Sequence, residues 1–275
     1  MYIHVGLGSR MLSIQPGSFV RADNSSNSTL QPLASGKRIN SAADDAAGLA
    51  IATRFSSQIN ATQQAVRNGL DAQSLIQTED GALSGINDNL LRLKELAVQQ
   101  GNGILSDSDR QLVAREAEQI TAQIQETVAQ SQFNGKPLFQ AQDSASDFRF
   151  QLGSSEQDAV TLSANTLASD IEQTLAGLDF GSADGAAVLS GLGELQQQVT
   201  ERRTELGAVS NRIDASIDNL RQQNESAQAA RSRIEDADFA KVASERAREQ
   251  FLQQAQISTQ SQANANASDV LRLLS

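Results

Sequence analysis

After Pro32 the chain contains one further proline, Pro137, and the whole sequence has only three, at positions 16, 32 and 137. Proline removes a backbone donor and clashes with the preceding helical turn. Its near-absence therefore leaves residues 33–136 and 138–275 sterically open to long helices. Aromatic residues make up 4% of the chain, tryptophan is absent and alanine supplies much of the apolar content. That mixture suits thin, closely packed helices better than a bulky globular core.

The apolar spacing agrees. From Ser41 onward, Ile51, Phe55, Ile59, Val66 and Leu70 recur on one helical face, which predicts a helix to about Glu79. Leu83, Ile86, Leu90, Leu93 and Ala97 then step by three and four, the seam of a coiled coil or narrow bundle, and are read as a second helix. Gly101 and Gly103 end it. Ser106 with Asp109 three residues on forms a capping box for a third helix, striped by Val113, Ala117, Ile120, Ile124 and Val128 and closing near Asn134-Gly135. Between 137 and 165 the period drops to two, with Phe148, Phe150 and Leu152 facing Val160 and Leu162 across Gly153-Ser154-Ser155, which predicts a β-hairpin. The helical period returns from about 188 to 230 through Leu195, Val199, Leu206, Val209, Ile213, Ile217 and Leu220. Residues 1–34 show no sustained period and read as irregular. Beyond Arg231 the chain is rich in Ala, Gln, Ser and Asn and ends on the apolar knob Val270, Leu271, Leu273 and Leu274. Ordering such a tail costs about 1–2 kcal/mol per residue, so it needs a partner. The expected fold is mainly α: an elongated antiparallel helical bundle or coiled coil with a small β-hairpin region.

Charge and chemistry exclude more than they suggest. A net charge of -11 opposes binding to nucleic acid or to an anionic membrane surface, since both require a positive field. No stretch approaches the roughly 20 apolar residues of a membrane span, and the residues near the start do not resemble a cleaved signal. Without cysteine there is no disulfide or thiolate chemistry, and with His4 the sole histidine there is no zinc-binding or histidine-dependent nucleophilic site. No cofactor-binding loop is present, because GLGSR at 6–10 lacks a preceding strand and the required spacing. The basic residues Arg92, Lys94, Arg202, Arg203, Arg231 and Arg233 lie on helices rich in acid and read as i,i+4 partners or a solvated face.

The stretch SGKRINSAADDAAGLAIATRF, residues 35–55, holds the one adjacent carboxylate pair that invites a catalytic reading, Asp44-Asp45. Neighbouring helical residues point about 100° apart, so the two do not converge on one ion or proton. With Ser41 as N-cap, Asp44 falls at the third helical position, where it accepts from the cap amide and favours the positive helix end. Ala42, Ala43, Ala46, Ala47, Gly48, Ala50 and Ala52 would then let a neighbouring backbone approach closely.

This stretch, with INATQQAVRNGLDAQSLIQTEDGAL, LLRLKELAVQ and SQFNGKPLF after it, resembles the amino-terminal block of bacterial flagellins. LGAVSNRIDASIDNL, AARSRIEDADFA and the closing VLRLL are similar to the carboxy-terminal block, so that the likeness covers about 33–140 and 200–275. The resemblance implies a minimal flagellin without outer variable domains: a terminal inner domain, 1–40 with 235–275, that lines the filament core; a helical domain, 41–136 with 188–234; and a hairpin segment, 137–187. It implies a homopolymeric, non-enzymatic filament subunit for swimming motility, secreted unfolded through the flagellar export channel. Its implied partners are itself, the flagellar cap, junction proteins and an export chaperone, and a vertebrate toll-like receptor that would contact Arg92 and Leu96, with Gln123 standing where the family's acid aligns. The hook–filament junction protein, and a minor flagellin acting as a surface binding module, are the alternatives. The opening residues depart from the family's regular terminal helix at Pro16, Gly17 and Pro32, and an interior helical proline costs about 3 kcal/mol.

Overall fold

A computed structural model describes residues 30–102, 104–140, 146–180 and 185–274; at 267 and 270–274 only the backbone is described. The dominant element is α1, Ala46–Gln100, a single helix of 55 residues, about 80 Å long at 1.5 Å per residue. A short connection follows it. α2 spans Asp107–Gln130, and two hairpins come next: β1 Gln132–Phe133 with β2 Lys136–Pro137, and β3 Phe148–Gln151 with β4 Ala159–Leu162. α3, Leu167–Gly177, leads into α4, Gly185–Glu235, of 51 residues, and α5, Phe239–Leu274, of 36.

The expected break between two helices near residue 80 does not exist. Gly81 and Gly85 sit inside α1 with open space where a Cβ would lie. Each costs about 1 kcal/mol relative to alanine, and the continuous buried seam on either side outweighs it. That seam also differs from the expected one: Ile51 and Leu70 are each 44% exposed, while Ala52, Ala65 and Ala72 are buried. The inward face in this half of α1 is built from small residues. A Cβ on Gly69 would stand 2.8 Å from Ile217 Cγ1, so α4 packs here at backbone distance.

The capping box of α2 is present, Ser106 Oγ accepting from the Asp109 amide at 3.2 Å and Asp109 Oδ2 from the Ser106 amide at 3.2 Å. The expected hairpin is present as β3 and β4, antiparallel, with Phe148 opposite Leu162 and Phe150 opposite Val160. The β1–β2 hairpin and α3 were not expected. The first turns on Asn134 and Gly135, both at positive φ, 50° and 77°, the conformation that an Asn-Gly pair adopts at low cost.

By internal packing the chain divides into two units, 57–227 and 1–56 with 228–275. The larger holds one core in which Leu83, Ile86 and Leu90 of α1, Ile124 of α2, Leu162 of β4, Ile171 of α3 and Leu192 of α4 are all buried. In the smaller, residues 30–35 are helical rather than irregular, and the Pro32 carbonyl accepts from the Gly36 amide at 2.9 Å. α4 reaches Glu235, and the low-complexity tail beyond it is helical as α5.

Candidate assembly surface

Residues 36–38 and 234–237 meet at a short backbone clasp. Gly36 adopts φ +70°, which turns residues 37–38 alongside 235–236. Lys37 and Asp236 form an antiparallel bridge, the Arg38 amide donates to the Glu235 carbonyl at 2.6 Å and the Ala237 amide to the Gly36 carbonyl at 3.0 Å. Side chains reinforce it: Lys37 Nζ lies 2.6 Å from Glu235 Oε1, and Arg38 Nη2 donates to the Ile234 carbonyl at 2.7 Å. The stretches SGKR and RIEDAD, almost 200 residues apart, are thus one structural feature.

The Asp44-Asp45 question resolves into two separate jobs. Asp45, not Ser41, caps α1: its Oδ1 accepts from the Gly48 amide at 2.8 Å and its carbonyl accepts from Leu49. Asp44 closes the turn before it, Oδ2 accepting from the amides of Asn40 at 3.0 Å and Ser41 at 2.9 Å. Those donors hold the Asp44 carboxyl below its ordinary value. The displacement of the helix start has a cause in packing. Gly48 lies against Ile39 and Asp45, where a Cβ would come within 2.6 Å of Ile39 Cδ1, so its small size serves a local contact. Of the small residues expected to face a neighbouring helix, Ala42, Ala43, Ala46, Ala47 and Ala50 are exposed in this chain.

α5 begins at a second Asp cap, Asp238 Oδ1 accepting from the Lys241 amide at 3.1 Å. None of its described side chains is buried. Phe239 is 68% exposed, Phe251 75%, and Leu252 and Ile257 are half exposed. Partial cover falls on Val242, Ala243, Glu245 and Glu249, which are half-buried, and propensity alone holds such sequences only marginally helical in water. The expected assembly tail, Val270, Leu271, Leu273 and Leu274, lies at its end, with side chains outside the described residues.

The expected receptor contacts are not brought together as a surface triad. Arg92 is exposed, and Leu96 is 1% exposed within the core. A leucine so placed offers no side chain to a docking protein. The carboxylate facing Arg92 from α2 is Glu116, at 2.6 Å, with Glu95 at 2.9 Å, and these acids raise the Arg92 pKa. Gln123 is exposed two turns further along α2.

One group that the spacing did not single out is the most constrained of all. Arg202 is buried rather than solvated, its Nε 2.7 Å from Oε1 of the fully buried Glu79. Asn165 Nδ2 donates to the same oxygen at 2.8 Å, and Arg202 Nη2 donates to the Ser163 carbonyl at 2.9 Å. The signal was a charged residue on the apolar seam of each helix, visible only once both seams are laid out. Elsewhere on α4, Gly193, Gln196, Gln197, Thr200, Glu201 and Thr204 line an open groove of ≈ 450 Å³. Among the described residues there is no group of three potential metal ligands, and no helix is long and apolar enough to cross a membrane.

Comparison with known proteins places these features in a family. The bacterial flagellin N-terminal helical region matches residues 14–144 and the bacterial flagellin C-terminal helical region matches 189–274. The first match begins well before residue 33, so the proline-containing opening belongs to the likeness rather than standing outside it. A flagellin from Halalkalibacterium halodurans is 36% identical over 253 residues, covering 91% of this chain and 92% of its own. A flagellar filament core protein of Brachyspira hyodysenteriae is 34% identical over 255 residues, covering 88% and 90%. The crystal structure of Bacillus cereus flagellin superimposes with a TM-score of 0.52 at 28% identity, over 56% of this chain and 88% of that one. With both halves of its sequence and its helical core accounted for in this way, the chain belongs to the bacterial flagellin family.

Proposed function

We propose that this chain is a structural subunit of the bacterial flagellar filament, that it carries no catalytic activity, and that α5 is its principal assembly element. The observation that carries the reading is the 36-residue helix α5 with no buried described side chain, in a family whose relatives include a filament core protein. Burying a phenylalanine or leucine contributes about 1.5–3 kcal/mol. Covering the exposed parts of Phe239, Phe251, Leu252 and Ile257 with neighbouring copies therefore contributes part of the drive that orders α5 in an assembly. Contacts that repeat head to tail without closing generate a helical filament. Residues 1–40 and 235–275 would form the inner domain and 41–136 with 188–234 the helical domain around it, with the knob Val270, Leu271, Leu273 and Leu274 completing the inner contact.

Export in an unfolded state follows from the same reading, and a chain without cysteine cannot be trapped by disulfides on the way. The export chaperone, the cap and the junction proteins would be its partners at successive stages. Purified chain added to sheared filament seeds should elongate them in electron micrographs; a chain that stays monomeric under every polymerising condition would sink the proposal.

Recognition by a toll-like receptor is the secondary reading, narrowed by the Arg92–Glu116 pair. The surface that α1 and α2 present centres on Arg92 and Glu116, with Gln123 beyond them and Leu96 behind. In a receptor-reporter assay, Arg92→Ala and Glu116→Ala should each lower potency at least tenfold and Gln123→Ala should not; equal potency for all three would remove the reading.

A further inference from the structure

The seam of α1 on α4 is regular enough to be ambiguous. From Ala65 to Ala97 the seam positions of α1 advance in strict alternation of four and three residues, and every one carries Ala, Gly, Ile or Leu except Glu79. From Val188 to Ile213 the seam of α4 follows the same alternation, with Val, Leu or Ile everywhere except Arg202. Two helices with such repeats have alternative staggers seven residues, about 10.5 Å, apart, in each of which apolar residues again face apolar residues.

The charged pair removes that degeneracy. A seven-residue slip would set Glu79 against Val209 or Leu195 and Arg202 against Ile86 or Ala72, leaving Glu79 buried without its cation and Arg202 with only the half-exposed Glu205 of its own helix, at 2.8 Å. A buried charge that loses its partner is strongly disfavoured, whereas an intact pair is weak evidence for stability by itself. Polar contacts beside the seam repeat every seven residues of α1 as well: Gln73 with Asp214, Asp80 with Arg203 at 2.7 Å, Asn87 with Gln196 at 3.4 Å and Lys94 with Gln196. Those groups are partly exposed and discriminate less. Gly69, which receives Ile217, is the one marker of shape.

We infer that Glu79 and Arg202 form a register lock, which selects one stagger of α1 on α4 and, through Asn165 and the Ser163 carbonyl, seats the segment after β4 at that stagger. The pair is kept for uniqueness of pairing, not for stability.

A chain without cysteine allows a direct test on the full-length protein. Gln73→Cys combined with Asp214→Cys reports the native stagger, and with Gly207→Cys or Arg221→Cys it reports a slip by seven residues in either direction. With the lock intact, a short bis-maleimide should cross-link the native pair at least tenfold better than either slipped pair. In E79L/R202L, one slipped pair should rise to within threefold of the native pair while helix content stays the same. A native preference that remains tenfold in E79L/R202L would overturn the inference and assign the register to Gly69 and Ile217. Should E79L/R202L not fold, the isosteric Glu79→Gln decides: the slipped yield should rise at least threefold, and an unchanged yield overturns the inference equally.

Discussion

Four carboxylates on this chain look alike in the sequence and do four different things. Asp45 caps α1, so Asp45→Ala should lower stability by about 1 kcal/mol, read as a shifted denaturant midpoint, while Ser41→Ala should cost clearly less. Asp44 accepts two backbone amides, which hold its carboxyl below the ordinary value. Its contribution is therefore present above the unfolded pKa, about 3.9, and is lost as pH falls through the lower folded value. Asp44→Asn should lower stability at neutral pH and flatten the acid limb of a stability-against-pH curve below about pH 4, leaving the slope near neutral pH unchanged. Glu235 holds Lys37 across the clasp. Glu79 is the costly one: Glu79→Leu alone leaves the buried Arg202 with only the half-exposed Glu205 as a counter-charge and should lose about 3 kcal/mol, whereas E79L/R202L should lose far less or gain. Equal losses for the single and double substitutions would contradict the pairing. The helix-geometry argument does not reach Asp44-Asp45, because both precede the first helical residue, Ala46; each carboxylate is instead taken up by its own backbone amides, and that Asp45 rather than Ser41 is the cap was not legible, with Ile39 packed against Gly48 there.

Helix period made most of the elements legible, and its limits are physical. The stripe from Leu83 to Ala97 and the capping box Ser106–Asp109 are local signals, and the structure contains both. The expected break near Glu79 is absent because the seam is continuous on both sides and overrides the unfavourable propensities of Gly81 and Gly85 inside α1. Ile51 and Leu70 misled for a related reason: where helices approach at backbone distance the buried positions belong to Ala and Gly, and large apolar residues are turned outward. Gly69→Leu should accordingly destabilise the larger unit by about 1–3 kcal/mol through overpacking against Ile217, measured by thermal melting, although leucine is the better helix former. The Lys37–Asp236 bridge and the Glu79–Arg202 pair were invisible in sequence because each joins residues more than a hundred positions apart.

At the scale of the whole molecule, the two units differ in what holds them. Residues 57–227 bury a continuous apolar core, with α1 and α4 locked through Glu79 and Arg202. In the other unit α5 leaves every described side chain at least partly exposed, and its helical state gains little from burial until another surface covers it. A filament subunit is required to be of this kind: folded well enough to have one shape, and incomplete enough to need its neighbours. Hydrogen exchange followed by mass spectrometry, on the free chain and on seeded filaments of the same chain, tests this directly. The account predicts fast exchange across 239–269 in the free chain, strong protection of the same residues in filaments, and equal protection of the 57–227 core in both. Exchange across 239–269 that is equally slow in the free chain, or equally fast in the filament, would contradict it.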